Sequence, residues 1–205
     1  MKLGDLRTVQ LDAIKEIASI GACHAATALS EMIEKRVMVQ VPNLRLCLLE
    51  EMSVLLGPPE SPISGVLISF KGDLEGRSVM ALPYEYSRQL VDRLLHRERG
   101  TTQELGELEG SALKEAGNIL VCSYMNALGD FLGMTVIPSP PELAVDMAGA
   151  VLLASLFEYG KSQEPLIVIE NELRFIEADE VLLGYLILSP EPGSLQTILK
   201  AVHMA

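Results

Sequence analysis

The sequence predicts an α/β (α+β) fold made of two homologous halves related by pseudo-two-fold symmetry, with long antiparallel strands packed against two exposed, site-bearing helices. Three observations predict it. Shifted by 99 positions, residues 12–44 fall on residues 111–143 without a gap, and ten of the 33 pairs are identical, among them Lys15/Lys114, Glu16/Glu115, Cys23/Cys122 and Pro42/Pro141. Each copy passes from a long helical pattern to β-rich runs of Val, Ile and Leu. Each half then closes on an amphipathic helical stretch, Glu85–His96 and Ser194–Met204. The chain has 205 residues, 49% hydrophobic and 21% charged, so it can fill a sizeable core. Neither half is long enough to bury its own apolar face well. Residues 1–205 are therefore expected to form one domain built from two repeats, about 8–100 and 107–205.

In chain order, the helix containing Asp12 leads into an extended piece, Val37–Val41, and a strand run LRLCLLE (44–50). GPPESP (57–62) reads as a loop. ISGVLISF (63–70) and SVMALPY (78–84) are strands joined by the turn-forming KGDLEG. RERGTTQELGE (97–107) is the join between the halves. The second half repeats the helix and the extended piece (Thr135–Pro138). It then adds DMAGAVLLASLFEYG, expected to be a helix that the first half lacks, and three strand runs: PLIVIE (165–170), ELRFIE (172–177) and EVLLGYLIL (180–188).

The net charge of −12 argues against nucleic acid and against an anionic membrane surface, since both require a basic face. With no Trp, four Phe and five Tyr, base-stacking platforms are not expected either. The opening MKLGDLRTVQ has no apolar signal-like core. The most apolar long stretch, Leu143–Phe157, is too short to span a bilayer and contains Asp146. Cys23, Cys47 and Cys122 form no CxxC pair, as expected of reduced thiols in a cytoplasmic protein. His24, His96 and His203 lack ligand spacing, so no metal is expected. Nucleotide-binding and nucleophile-elbow motifs are absent, which disfavours an ordinary metabolic enzyme.

The repeated helix carries the chemistry. At about 100° per residue, Leu113, Ala116, Leu120, Tyr124, Ala127 and Phe131 form the core stripe. Ser111, Glu115, Asn118 and Cys122 line up on the opposite side, as do Asp12, Glu16, Ser19 and Cys23 in the first half. A single such row would be an ordinary solvated face. The row recurs at one spacing, however, and a mid-helix Asn is a poor choice on propensity alone. Ser111 fits a helix-start role. Pro42 and Pro141 fit a role in setting the exit of the chain. Cys23 and Cys122 fit packing against neighbours.

This spacing, an acid or Ser, three residues, Glu, two residues, Asn, then 22 residues to Pro, resembles the signature of the CheC/CheX/FliY chemotaxis phosphatases. The second copy matches in full (Ser111, Glu115, Asn118, Pro141, within KEAGNILVCSYMNALGDFLG). The first matches at Asp12, Glu16 and Pro42 but has Ser19 in place of Asn, and Ala18, Cys23 and His24 also depart from the pattern. Two copies in about 200 residues look like the CheC branch. The resemblance implies hydrolysis of the aspartyl phosphate of a phosphorylated CheY-type response regulator. Asn118 would orient the water, and Glu115 would pair with the regulator's lysine. The protein would need no cofactor of its own, because the regulator supplies Mg²⁺. Glu16 and Ser19 would form a degenerate second site. The resemblance also implies the receptor deamidase CheD as a partner, for which Asp146 and the apolar insert are the candidate surface. The competing reading is a weakly catalytic or non-catalytic adaptor that binds phosphorylated CheY, regulates CheD, or both.

Overall fold

The computed structural model describes residues 8–156 and 166–204; the last four residues of the predicted insert (157–160) and Pro165 lie outside them. The elements run α1 (Thr8–Ile33), β1 (Val37–Gln40), β2 (Leu44–Cys47), α2 (Ser53–Leu56), β3 (Pro62–Gly72), β4 (Gly76–Pro83), α3 (Tyr84–Leu94), α4 (Glu107–Leu132), β5 (Val136–Pro138), β6 (Glu142–Met147), α5 (Ala148–Leu156), β7 (Leu166–Phe175), β8 (Glu180–Pro190) and α6 (Pro192–Met204). All strands belong to one antiparallel sheet of eight, in the order β1-β7-β8-β4-β3-β5, with β2 also on β7 and β6 also on β3. Exchanging each strand of the first half with its counterpart in the second reverses this order and keeps every pairing. The short strands after each long helix cross over: β1 and β2 extend the second half's β7, and β5 and β6 extend the first half's β3.

Alternation along the strands feeds two cores. On β4, Met80 and Leu82 face the layer of α1, α3, α4 and α6, while Val79 and Ala81 face α5. On β7, Ile167 and Ile169 take the first side and Leu166 and Val168 the second. Strands apolar on both faces are what a covered sheet requires.

The helix pair at the centre is close-packed because small residues permit it. A Cβ added at Gly21 would lie 2.9 Å from the Tyr124 Cα. Ile14, Ile17 and Ala18 gather with Tyr124, Met125 and Leu128. Gly117 lets α4 settle on β3, where any Cβ would meet Val66 at 2.6–2.8 Å.

Four local expectations are corrected. LRLCLLE is strand only over Leu44–Cys47; Leu49–Met52 is a 3₁₀ turn running into α2, with the Glu51 carboxylate accepting from the Leu48 N–H at 2.7 Å. The helical insert is not confined to the second half, since Leu49–Leu56 occupies the matching place before β3. PLIVIE and ELRFIE join in one strand, β7, over Leu166–Phe175, with Ile176 and Glu177 in a 3₁₀ turn. Asn171 between them stays in register with Gly184, its buried carboxamide accepting from the Tyr124 hydroxyl and donating to the Ile169 carbonyl at 3.0 Å. Phe131 lies at the end of the core stripe but is 44% exposed, and it is the neighbouring Leu132 that packs against the core.

Candidate functional site

The start of α4 is fixed by the join between the halves. The buried Asp92 carboxylate accepts from the N–H groups of Gly100 (2.7 Å) and Thr102 (2.9 Å). Burial alone would raise its pKa, but the bonds from Thr102, Gly100 and Thr101 outweigh that and hold it below the usual aspartate value. Arg97 donates to Thr102 Oγ1 (3.1 Å) and to Glu109 (2.7 Å). Glu109 in turn accepts from the N–H of Gly106, the N-cap of α4, at 3.1 Å. Loop and helix are thereby locked together, and the row that follows projects from a rigid base.

Along α4, Ser111 and Glu115 are exposed, and Asn118 and Cys122 are half-buried. Ser111 is not the N-cap; it lies inside the helix and lines a shallow hollow of about 910 Å³ together with Gly106, Gly110, Lys114, Pro141 and Glu142. Glu115 and Asn118 stand one turn apart beside this hollow, outside its lining. The structure therefore brings Ser111 and Pro141 together, although 29 residues separate them. Two residues before Pro141, the Ser139 N–H donates to the Ser69 carbonyl at 2.8 Å and its hydroxyl accepts from the Ser69 N–H at 3.1 Å, tying this segment to β3.

The row on α1 has Asp12 and Glu16 exposed, Ser19 half-buried and Cys23 exposed. Ser19 Oγ donates to the Lys15 carbonyl one turn back (2.9 Å), the usual resting place of a helical serine. Lys15 Nζ reaches the Pro42 carbonyl at 2.6 Å and ties the β1–β2 loop to the helix. Both rows lie roughly 120–180° around their helices from the Gly21–Tyr124 contact. They are turned away from each other and do not converge on a common site.

The Asn118 carboxamide is free to orient a water: it can donate and accept, and it does not titrate. Among the described residues its side chain accepts a hydrogen bond from Cys122, whose Sγ lies 3.3 Å from Oδ1. Packing against an unspecified neighbour was expected for Cys122; the structure shows the neighbour to be Asn118 itself. The i,i+4 spacing in the sequence was the signal for it. Burial, with the Glu115 charge adding to it, raises the Cys122 pKa, so the sulfur keeps its proton. Among the described residues no group of His, Cys, Asp and Glu could hold a metal ion.

Asp146 is not on the predicted helix. It sits near the end of strand β6, paired with Ile63, with Oδ1 accepting from the Met147 N–H at 2.7 Å. It remains exposed.

With this geometry in hand, comparison with known proteins is direct. The CheC-like family model matches residues 108–145, the span holding α4, its row and Pro141. Over 199 residues, 96% of this chain and 95% of the relative, the chain is 28% identical to a Bacillus subtilis (strain 168) protein named CheY-P phosphatase CheC. The chain is similar to the CheC-like family, most directly over residues 108–145. The crystal structure of Thermotoga maritima FliY is similar over 98% of both chains, with a TM-score of 0.80 and 22% identity. The FliM middle domain from H. pylori is similar over 96% of this chain and 99% of that one (TM-score 0.68, 16% identity). Both show that the fold is shared. Among the described residues no helix is long and apolar enough to cross a membrane.

Proposed function

We propose that this CheC-like protein is a cytoplasmic phosphatase that hydrolyses the aspartyl phosphate of a phosphorylated CheY-type response regulator. The observation that carries the reading is the Glu115–Asn118 pair on the exposed face of a clamped helix, with a carboxamide that does not titrate. Similarity to the relative named CheY-P phosphatase CheC supports the substrate class. Asn118 orients the water in line with the phosphorus, and Glu115 pairs with the regulator's lysine to set the register. The Mg²⁺ at the acyl phosphate belongs to the regulator, so this chain contributes positioning rather than a metal or a base. On this reading Ser111 and Pro141 shape the hollow that receives the regulator's edge. The α1 row, with Glu16 but with Ser19 turned back to its own helix, is a degenerate site in which Asp12 and Pro42 keep structural roles. The test is the decay of a phosphorylated CheY-type regulator in Mg²⁺ buffer. The protein accelerates it, and Asn118→Ala returns it to the intrinsic rate; no acceleration by the unaltered protein rejects the reading.

A second reading, an adaptor that binds CheD, rests on an apolar groove of about 300 Å³ between the Leu49–Leu56 segment and α5, lined by Leu49, Met52, Leu56, Pro59, Leu152 and Leu153. It opens on the sheet face opposite α1 and α4. Asp146 lies on the strand leading into α5. Loss of CheD binding in Asp146→Ala with phosphatase activity kept would assign this face.

A further inference from the structure

We infer that Cys122 is a positioning residue for Asn118: its thiol holds the Asn118 carboxamide in the orientation that presents the amide group to the attacking water. This rests on the phosphatase reading above. Asn118 and Cys122 are one helical turn apart, and the sulfur lies 3.3 Å from Oδ1. A carbonyl oxygen has two acceptor sites. The S–H group takes one, the other remains for the water, and Nδ2 is turned outward as a donor to the phosphoryl oxygens. Without such a partner a carboxamide on a half-exposed helix face rotates about its last torsion, which is broad and roughly two-fold. Half its orientations would then present the wrong group. The proton needed for donation is kept, because burial and the nearby Glu115 charge both oppose thiolate formation.

The α1 row supplies the internal contrast. The residue at the Asn118 position is Ser19, bonded to its own backbone, and Cys23 at the Cys122 position is fully exposed. Cysteine recurs at both positions, but only in α4 does it touch the residue placed to act.

The experiment compares Cys122→Ala and Cys122→Ser in the full chain, using phosphorylated CheY-type regulator as substrate. Cys122→Ala is expected to lower kcat roughly threefold to tenfold, the loss of one weak orienting bond, with KM unchanged. Cys122→Ser keeps a donor and is expected to restore most of kcat. The side-chain amide signals of Asn118 in a ¹⁵N spectrum should be sharp in the unaltered protein and in Cys122→Ser, and broadened in Cys122→Ala. Unchanged kcat in Cys122→Ala, or equal losses in the Ala and Ser variants, would each overturn the inference. The two failures are separable. If Asn118→Ala is inactive while Cys122→Ala is unimpaired, only this inference falls. If the unaltered protein does not accelerate decay, the phosphatase reading falls and takes this one with it.

Discussion

Helices α1 and α4 are each 26 residues long, pack together and show solvent the same sequence of positions, yet they differ in what those positions can do. On α4 the carboxamide of Asn118 faces outward, steadied by Cys122. On α1 the hydroxyl of Ser19 donates to its own helix. The helices also differ in how they are seated. Gly117 drops α4 onto Val66, whereas the matching residue of α1 is Ala18, itself buried. The lysine before each Glu differs too: Lys15 is bound to the Pro42 carbonyl, while Lys114 lines the open hollow with Pro141. The difference teaches that a repeated helix face is not a repeated site. A carboxylate at the right spacing supports docking, but the water must be placed by a group long enough to reach the phosphorus and free to do so.

The contrast can be broken or sharpened in several ways. Asn118→Ala carries the largest expected effect, a loss of about 100-fold or more in the acceleration of phospho-regulator decay, as positioning for in-line attack disappears. Placing Asn in the α1 row of that inactive protein (Ser19→Asn with Asn118→Ala) should recover roughly tenfold over Asn118→Ala alone, since Glu16 is already present. No recovery would mean that the seating of α1 matters more than the missing carboxamide. Glu115→Gln should cost about tenfold in kcat/KM at low salt and less at high salt, as for a pairing charge near solvent. Stopped-flow decay at two ionic strengths reads this directly.

The smallest expected effect on activity comes from the clamp that serves α4 alone. Asp92→Asn should lower stability by about 2 kcal/mol at neutral pH by weakening two charge-assisted bonds to the 100–102 loop, with the change in activity secondary. The folded pKa of Asp92 lies below its unfolded value. Its contribution is therefore complete above the unfolded aspartate pKa, about 3.9, and fades as pH falls through the folded value. Urea midpoints of the two proteins should differ at pH 7 and converge on strong acidification. A gap that widened in acid would show the wrong sign.

Much of this was legible in the sequence. The 99-residue offset and its matched prolines announced two long helices, each followed by strands, and the wheel placed Ser111, Glu115, Asn118 and Cys122 on one face. What periodicity could not reveal was tertiary. The exchange of β1 and β2 with β5 and β6 across the sheet is a pairing choice made between residues 64 to 138 positions apart. Asn171 looked like a break between two strands because a buried Asn is costly until a partner such as the Tyr124 hydroxyl satisfies it. Asp146 and Met147 looked like the start of the inserted helix because local composition suits either structure, and pairing with β3 made Glu142–Met147 a strand, carrying Asp146 with it. The Cys122–Asn118 contact was within reach of i,i+4 counting, but its direction needed side-chain geometry.

The most direct measurement compares the two rows as whole units. The decay of a phosphorylated CheY-type regulator is followed with the unaltered protein, with Glu16→Gln/Ser19→Ala, and with Glu115→Gln/Asn118→Ala. The account predicts that the α1 double variant keeps the full rate, within about twofold, and that the α4 double variant leaves only the regulator's own decay. Loss of activity in the α1 variant with retention in the α4 variant would contradict it.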